Sequence, residues 1–545
     1  MTKDNLEQIA FPQLTDKQLS ALAKFTTLKT FTEGEHLFEA GDSDFKFFVI
    51  KQGQIEIVER STGKQKTVTV HEQKEFTGDI SMLTGSPSPV SAYAVGDCQV
   101  YEVSNADLKQ ILNKIPQLGD CILQAFLTRR QLLESSDFAG LRIVGSKYDR
   151  NTFRLRDFLA KNRIPFTWID LESDRTVDKL LQQFEVKKDS LPIVLFGDSS
   201  VLRNPDNVKL AEILGIKKPL KDVVYDLAIV GAGPGGLAGA VYGASEGLKT
   251  VVLEKNAPGG QAGCSSKIEN YMGFPLGLSG TDLANRASIQ AEKFGAQITN
   301  PAQVIDIESD NGYKIIKLAD EQEVTARCVL IATGVNYRRL PVERCEEFED
   351  SGVYYSATAV EAELCRDRTV VIVGGGNSAG QAAIFLSQYA EKVLLLIRGD
   401  GLSESMSAYL SDRIEQSEEI ELLTHTEVTK MMGDECLEAV EVTNNQTQES
   451  RSVQVSGVFI FIGATPCTDW LPKSIATDEK GFIKTGMQLD DAEKQLYERQ
   501  PFLLETSQPG IFAAGDVRFD SIKRVASAVG EGSMTVKFVH QFLSI

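Results

Sequence analysis

Gly231-Ala-Gly233-Pro-Gly-Gly236 follows the apolar run Leu227-Ala-Ile-Val230 and precedes a helix-like stretch, Leu237–Glu246. A strand, Thr250–Leu253, comes next and ends at Glu254. In this setting each glycine has a task. Gly231 permits the tight turn, Gly233 lets backbone approach a pyrophosphate, and Gly236 packs helix on strand. The helix N-terminus then offers its partial positive charge to the phosphates. Glu254 stands where a carboxylate binds ribose hydroxyls. A second copy runs from Arg368-Thr-Val-Val-Ile-Val373 through Gly374-Gly-Gly376-Asn377-Ser378-Ala379-Gly380, then a helix Gln381–Tyr389 and a strand Val393–Ile397. Here Arg398 replaces the acid. It attracts a 2′-phosphate, as Ala379 in the third glycine's place also suggests, or it is a solvated cation at a strand end. Two such turns in one chain imply two dinucleotides, a flavin and a nicotinamide.

Further motifs surround the turns. Leu330-Ile-Ala-Thr-Gly334 is a strand ending in a close-approach glycine. Gly510-Ile-Phe-Ala-Ala-Gly515-Asp516 repeats the pattern and adds a carboxylate, and Gly530-Glu-Gly532 is expected to open a helix. This block, from residue 222 onward, is α/β. Residues 1 to about 130 read as β-rich runs, His36–Phe38, Phe47–Ile50, Gln54–Val58, Thr67–Val70, Val90–Ala94 and Gln99–Val103, separated by Gly or Asp, followed by helical periodicity. That pattern predicts a small β barrel or jelly roll. Residues 138–217 predict a small α/β unit: strands at Leu141–Val144, Phe166–Asp170 and Ile193–Phe196, helices at Thr152–Asn162 and Val177–Phe184.

Composition narrows the function classes. The 545 residues carry 57 Lys+Arg against 76 Asp+Glu, a net charge of −19. Such an acidic chain is unsuited to nucleic acid or an anionic membrane, both of which need clustered cations. The eight Cys include no C-x-x-C, and His36, His71, His425 and His540 show no ligand spacing, so no metal site is expected. No signal pattern and no 18-residue apolar run occurs, and a cytoplasmic location is expected.

Pro258-Gly-Gly260-Gln261-Ala262, Glu269-Asn270-Tyr-Met-Gly-Phe-Pro275, the paired glycine turns, Ala-Thr-Gly334, Gly463-Ala-Thr-Pro466 and Ala-Ala-Gly515-Asp516 resemble low-molecular-weight thioredoxin reductases over Tyr225 to Phe542. The resemblance implies an FAD domain in two parts (221–340 and 465–545) around an NAD(P)H domain (341–464), and a homodimer. It implies that Gly231, Gly233, Gly236, Glu254, Gly260, Gln261, Asn270 and Ala332 line FAD. Gly515, Asp516 and Lys523-Arg524-Val525-Ala526 would close over it. Gly376, Asn377, Ser378, Ala379 and Arg398 would hold NADPH. Further arginines usual after Arg398 are missing, and Asp400 and Glu404 would repel a 2′-phosphate, so NADH is also open.

The chain departs from the family where a C-A-T-C passes electrons from flavin to thioredoxin. Here the stretch is Ser356-Ala357-Thr358-Ala359. Neither Ser356 nor Ala359 can form a thiolate, so that relay is impossible. Cys264 and Cys365 are either small buried residues or substitutes, Cys264 being the better catalytic candidate. Ser356, Thr358 and Glu361 are possible proton shuttles or ordinary surface and loop groups.

The middle block, 138–220, resembles thioredoxin or glutaredoxin through Gly145-Ser-Lys-Tyr-Asp-Arg150 and Ser190-Leu-Pro192-Ile-Val, but it has no cysteine. It is expected to be a binding module or spacer, packed near the flavin face that a partner thioredoxin would visit. The first block, 1–137, resembles a cyclic-nucleotide-binding domain through Gly34-Glu-His-Leu-Phe38, Gly53-Gln-Ile-Glu-Ile57 and Phe76-Thr-Gly78-Asp79-Ile-Ser-Met-Leu83. Gly78 and Asp79 are its ligand candidates. Where binders place a phosphate-pairing arginine, Gly85-Ser-Pro-Ser-Pro-Val90 has no cation. A cyclic nucleotide, another small ligand and a structural role all stay open. The expected whole is an FAD-dependent NAD(P)H oxidoreductase of thioredoxin-reductase type with an unidentified acceptor. The alternative is a redox regulator that reads flavin state through its N-terminal blocks.

Overall fold

The computed structural model describes residues 3–545 apart from 43, 60–65, 135–140, 174–176, 178–180, 183, 185, 187–189, 197–199 and 404–405. The chain divides into two compact units. One comprises residues 1–145, 163–221 and 289–301, the other 146–162, 222–288 and 302–545. The division separates 146–162 from the rest of the sequence block 138–220.

In the first unit, strands Thr27–Phe31, Ser91–Val103, Phe47–Glu59 and Lys66–His71 form an antiparallel sheet in that order, with His36–Phe38 also on Ser91–Val103. Phe47, Phe76 and Phe126 fill its core. The sequence places breaks at Gly53 and Gly96, but each lies inside one long strand. Gly53 takes φ +88°, and a Cβ there would lie 2.8 Å from the Asp97 carbonyl oxygen. The glycine therefore allows an irregularity in the register and a close strand approach, not a turn. A second sheet has the order Thr167–Asp170, Leu141–Gly145, Ile193–Phe196, Ser200–Arg203, its first pair parallel and the rest antiparallel. The Leu191–Pro192 peptide is cis. Of the expected helix Val177–Phe184, residues 178–180 and 183 lie outside the described residues.

The second unit carries two sheets with parallel centres, the first extended by the antiparallel strands Tyr313–Leu318 and Val304–Asp310. In one, Tyr225–Val230 lies between Thr250–Leu253 and Glu323–Ile331, with Ile511–Ala513 parallel beyond the latter. Val230 stands opposite both Leu253 and Ile331, so the turns at Gly231, Glu254, Ala332 and Gly515 share one sheet end. Ligands in open α/β sheets bind at that carboxyl end. The other sheet orders Val353–Tyr354, Gly457–Ile460, Thr369–Val373, Lys392–Leu396 and Ile420–Leu423, all parallel. These strands are apolar almost throughout because both faces are covered. Val335–Tyr337 pairs with Ala464–Pro466 where the chain passes between the two sheets. Among the described residues, no helix is long and apolar enough to cross a membrane.

Candidate functional site

The first glycine turn has the geometry that its sequence demands. Gly231 takes φ +100°, and a Cβ would lie 2.5 Å from the Ala332 carbonyl oxygen. At Gly236 a Cβ would lie 1.9 Å from the Gly231 carbonyl oxygen. Gly233 is different: the nearest atom to its Cβ position is 4.0 Å away, so the backbone lies open at the start of the helix Pro234–Ser245. The first N–H groups of that helix have no intrahelical acceptor, which suits an anion. Gly260 packs behind, its Cβ position 3.1 Å from the Gly233 Cα. Glu254 accepts the Ala232 N–H at 2.7 Å and the Asn256 N–H at 2.9 Å. Burial pushes its carboxyl upward, and these N–H bonds work against the shift. Ala332 is buried, Gln261 half-buried and Asn270 exposed. The open Gly233 cradle, the helix end and the half-buried acid fit a dinucleotide such as FAD.

Gly515, at φ +77°, donates its N–H to Glu531 Oε2 at 2.7 Å. Arg518 holds the same carboxylate with Nη2 at 2.7 Å and Nε at 3.2 Å. Lys523 donates to the Asp516 carbonyl oxygen at 2.6 Å, and burial raises the Asp516 carboxyl. Arg524 is the N-cap of the helix Val525–Leu543, which begins with Val525 and Ala526. Gly530 and Gly532 therefore do not open a helix: they lie within this one. Its first turn starts five residues earlier, and Gly532 serves a helix crossing instead. A Cβ there would lie 2.0 Å from the Gly235 carbonyl oxygen.

At the second turn, Gly374 takes φ +139° and a Cβ would lie 2.3 Å from the Phe461 carbonyl oxygen. Gly376 is open and caps the helix Asn377–Leu386. Asn377 Oδ1 accepts the Ser407 N–H at 2.7 Å, and Ala379 is fully buried. Arg398 is exposed at its strand end, and among the described residues it has no ion-pair partner. Asp400 pairs with His425 at 3.1 Å, while Glu404 lies outside the described residues. Tyr337, a residue the motifs did not single out, stands beside Ser378. Burial raises the Tyr337 phenol, as do the charges of Cys264 and Asp516, while Ser378 opposes the shift. Tyr337 thus feels groups of both the nicotinamide-side turn and the flavin side.

The Ser356–Ala359 segment is built around Glu361. Ser356 donates its hydroxyl to Glu361 Oε1 at 2.7 Å, and the Thr358 N–H reaches Oε2 at 2.8 Å. The Thr358 hydroxyl bonds the same oxygen. Glu361 is 1% exposed, which overturns its reading as a surface or loop group. Thr358-Ala-Val-Glu361 is a capping box at the start of the helix Ala359–Leu364. Burial raises the Glu361 carboxyl, and Asp157 adds to the shift. Cys365 is fully buried with its thiol pushed up to about 12, an inert core residue. Cys264 is half-buried, its Sγ 3.8 Å from the Gly260 carbonyl oxygen. Burial raises that thiol, and Lys161 opposes the shift. Lys161 and Asp157, paired at 2.8 Å on the helix Arg150–Lys161, were not anticipated as part of this cluster. Their i, i+4 spacing is the one local signal that they act as a pair.

Residues 225–532 match the family model described as pyridine nucleotide-disulphide oxidoreductase, more than half the chain. The chain belongs to that family. Its curated relatives include a thioredoxin reductase of Listeria innocua, 32% identical over 315 residues, 58% of this chain and 92% of that one. Another is a 34.2 kDa protein in the rubredoxin operon of Clostridium pasteurianum, 31% identical over 58% of this chain and 97% of its own. The crystal structure of Lactococcus lactis thioredoxin reductase (FR conformation) superposes with a TM-score of 0.53 at 30% identity, covering 59% of this chain and 99% of that chain. This pyridine nucleotide-disulphide oxidoreductase is thus an FAD-dependent NAD(P)H oxidoreductase of thioredoxin-reductase type. Its relatives support the two-dinucleotide fold that the glycine turns predicted.

Residues 28–115 of the oxidoreductase also match the cyclic nucleotide-binding domain model. Here the ligand candidates are engaged internally. The Cβ position of Gly78 would lie 2.5 Å from Met82 Sδ and 3.2 Å from the Phe126 ring. Asp79 is 7% exposed and accepts the Ser81 N–H at 3.0 Å, with Arg130 at 3.5 Å. Arg129 donates to the carbonyl oxygens of Gly78 at 2.6 Å, Phe76 at 2.9 Å and Ala10 at 2.8 Å. The cations missing from Gly85–Val90 thus come from the helix Pro116–Glu134, but they bind the cassette itself.

Proposed function

We propose that the protein takes reducing equivalents from NADPH and delivers them to an acceptor without a protein dithiol. The reading is carried by the replacement of both cysteines at Ser356 and Ala359, with Ser356 committed to Glu361. When bound, FAD supplies a two-electron carrier between nicotinamide and acceptor. Gly231, Gly233, Gly236 and Glu254 hold its pyrophosphate and ribose; Gly260, Gln261, Asn270 and Ala332 line it. Gly515, Asp516 and the segment 523–526 close over it. Gly376, Asn377, Ser378 and Ala379 seat the nicotinamide nucleotide. Arg398 selects the 2′-phosphate, since its neighbour Asp400 is drawn to His425. Tyr337 and Glu361 keep protons within reach of the site, one beside Ser378 and the other bonded to Ser356 and Thr358. The relatives named thioredoxin reductase make a thioredoxin-like protein one candidate acceptor, and the resemblance of the motifs makes a homodimer the working assembly. The internal ligation of Asp79 supports a structural role for the first block over cyclic-nucleotide binding.

Anaerobic titration of the purified flavoprotein tests this. Rapid loss of flavin absorbance with NADPH, slower with NADH, is expected. Failure of both to bleach the flavin would overturn the reductase reading. The regulator reading would then lead, supported by the seating of residues 150–161 in the catalytic unit. Solution scattering that differs between oxidised and reduced protein would favour it.

A further inference from the structure

The helix Arg150–Lys161 is basic along its length, with Arg150, Arg154, Arg156 and Lys161 against the single acid Asp157. The surface it meets within the second unit is acidic. Arg150 lies 3.5 Å from Glu349 and 3.7 Å from Asp350. Arg156, itself 3% exposed, pairs with Glu363 at 2.8 Å. Phe153 packs on Tyr354 with ring centroids 5.5 Å apart and joins the core that contains Ala357, Val360 and Ala362. At the helix end, Asp157 and Lys161 bear on Cys264 and Glu361. An aromatic anchor ringed by opposite charges is the form of a specific helix-docking face.

We propose that the acidic face from Glu349 to Glu363 is a helix-docking surface whose resident partner is the chain's own 150–161 helix. The seated helix covers Cys264 and the Ser356–Glu361 segment and keeps an external protein off them. Glu363, with 55% of its side chain exposed, is the accessible half of the latch, and Arg156 is the buried half. Glu363→Lys sets a second cation against that buried guanidinium, so the latch fails on the charge reversal. The proposal does not depend on the acceptor or on turnover.

The test is alkylation of the full-length flavoprotein by N-ethylmaleimide, with each cysteine followed by mass spectrometry. Glu363→Lys is expected to raise the rate at Cys264 about tenfold, the response to a modest rise in local opening, with Cys365 unchanged. The charge swap Arg156→Glu with Glu363→Lys is expected to restore slow labelling. High salt should accelerate labelling of the wild type, because the exposed half of the pair is screened. Unchanged labelling of Cys264 in a folded Glu363→Lys protein would overturn the proposal. An equal rise at Cys365 would do so too, since it would show general loosening and not release of the helix.

Discussion

Alanine at Gly532 and alanine at Gly530 should have opposite effects, although both glycines lie inside the helix Val525–Leu543. Replacing a helix-interior glycine by alanine is worth up to about 1 kcal/mol through backbone entropy. At Gly530 a Cβ meets nothing within 4 Å, so that gain is realised in full. At Gly532 the Cβ would lie 2.0 Å from the Gly235 carbonyl oxygen, more than an ångström inside ordinary contact. No rotamer change relieves a methyl pressed on backbone, so the two helices must separate. Overpacking of this kind costs about 1–3 kcal/mol, and the upper end applies where backbone opposes backbone. The net expectation is a loss of about 2 kcal/mol for Gly532→Ala, set against the propensity gain. Because Gly235 belongs to the helix that starts at the first glycine turn, flavin retention should fall as well. Urea unfolding followed by flavin release measures both. The reasoning is refuted if Gly532→Ala is as stable as Gly530→Ala and keeps its flavin.

Arg398→Ala should raise KM for NADPH about tenfold and leave KM for NADH nearly unchanged, as expected for loss of one charge-assisted contact; equal effects on the two nucleotides would remove Arg398 from the site. His71 is 2% exposed and its pKa is lowered to about 4, first by burial, from an ordinary 6.5. Its folded value lies below its unfolded one, so the stability it contributes is present above pH 6.5 and is lost as pH falls toward about 4. That is about 3 kcal/mol in the first unit, and urea midpoints across this window should show it shrinking in His71→Gln. Glu361 has the opposite sign: its folded value is raised above 4.5, so its contribution is full below 4.5 and lost as pH rises through the raised value. Glu361→Gln should therefore gain on the wild type in urea midpoint as pH rises, and a constant gap would contradict the burial argument.

The chemistry of the turns was legible because it is local. A glycine that must take a positive φ or admit a neighbouring carbonyl is fixed by a few residues on either side. Gly231 and Gly374 behave as their spacing required. The same habit misled at Gly53, where a glycine read as punctuation relieves a strand-to-strand contact whose partner is Asp97. Glu361 was half legible: the Thr-x-x-Glu capping signal is in the sequence, whereas its burial comes from tertiary packing. The crossing of Gly532 on Gly235 joins positions some 300 residues apart, and no window of sequence contains both. Lys161 and Asp157 were hidden for the same reason. A helix in the middle block gives no local sign that it will serve the thiol at Cys264.

The placement of that helix on the same chain as its docking face has a kinetic meaning. A tethered ligand competes at an effective concentration on the order of millimolar, set by the connection and not by expression level. A separate protein offering a similar helix at about micromolar concentration faces a roughly thousandfold handicap before any difference in contacts counts. Fusion therefore turns an encounter that would follow the supply of a diffusing partner into a threshold, crossed only when the chain's own helix lets go.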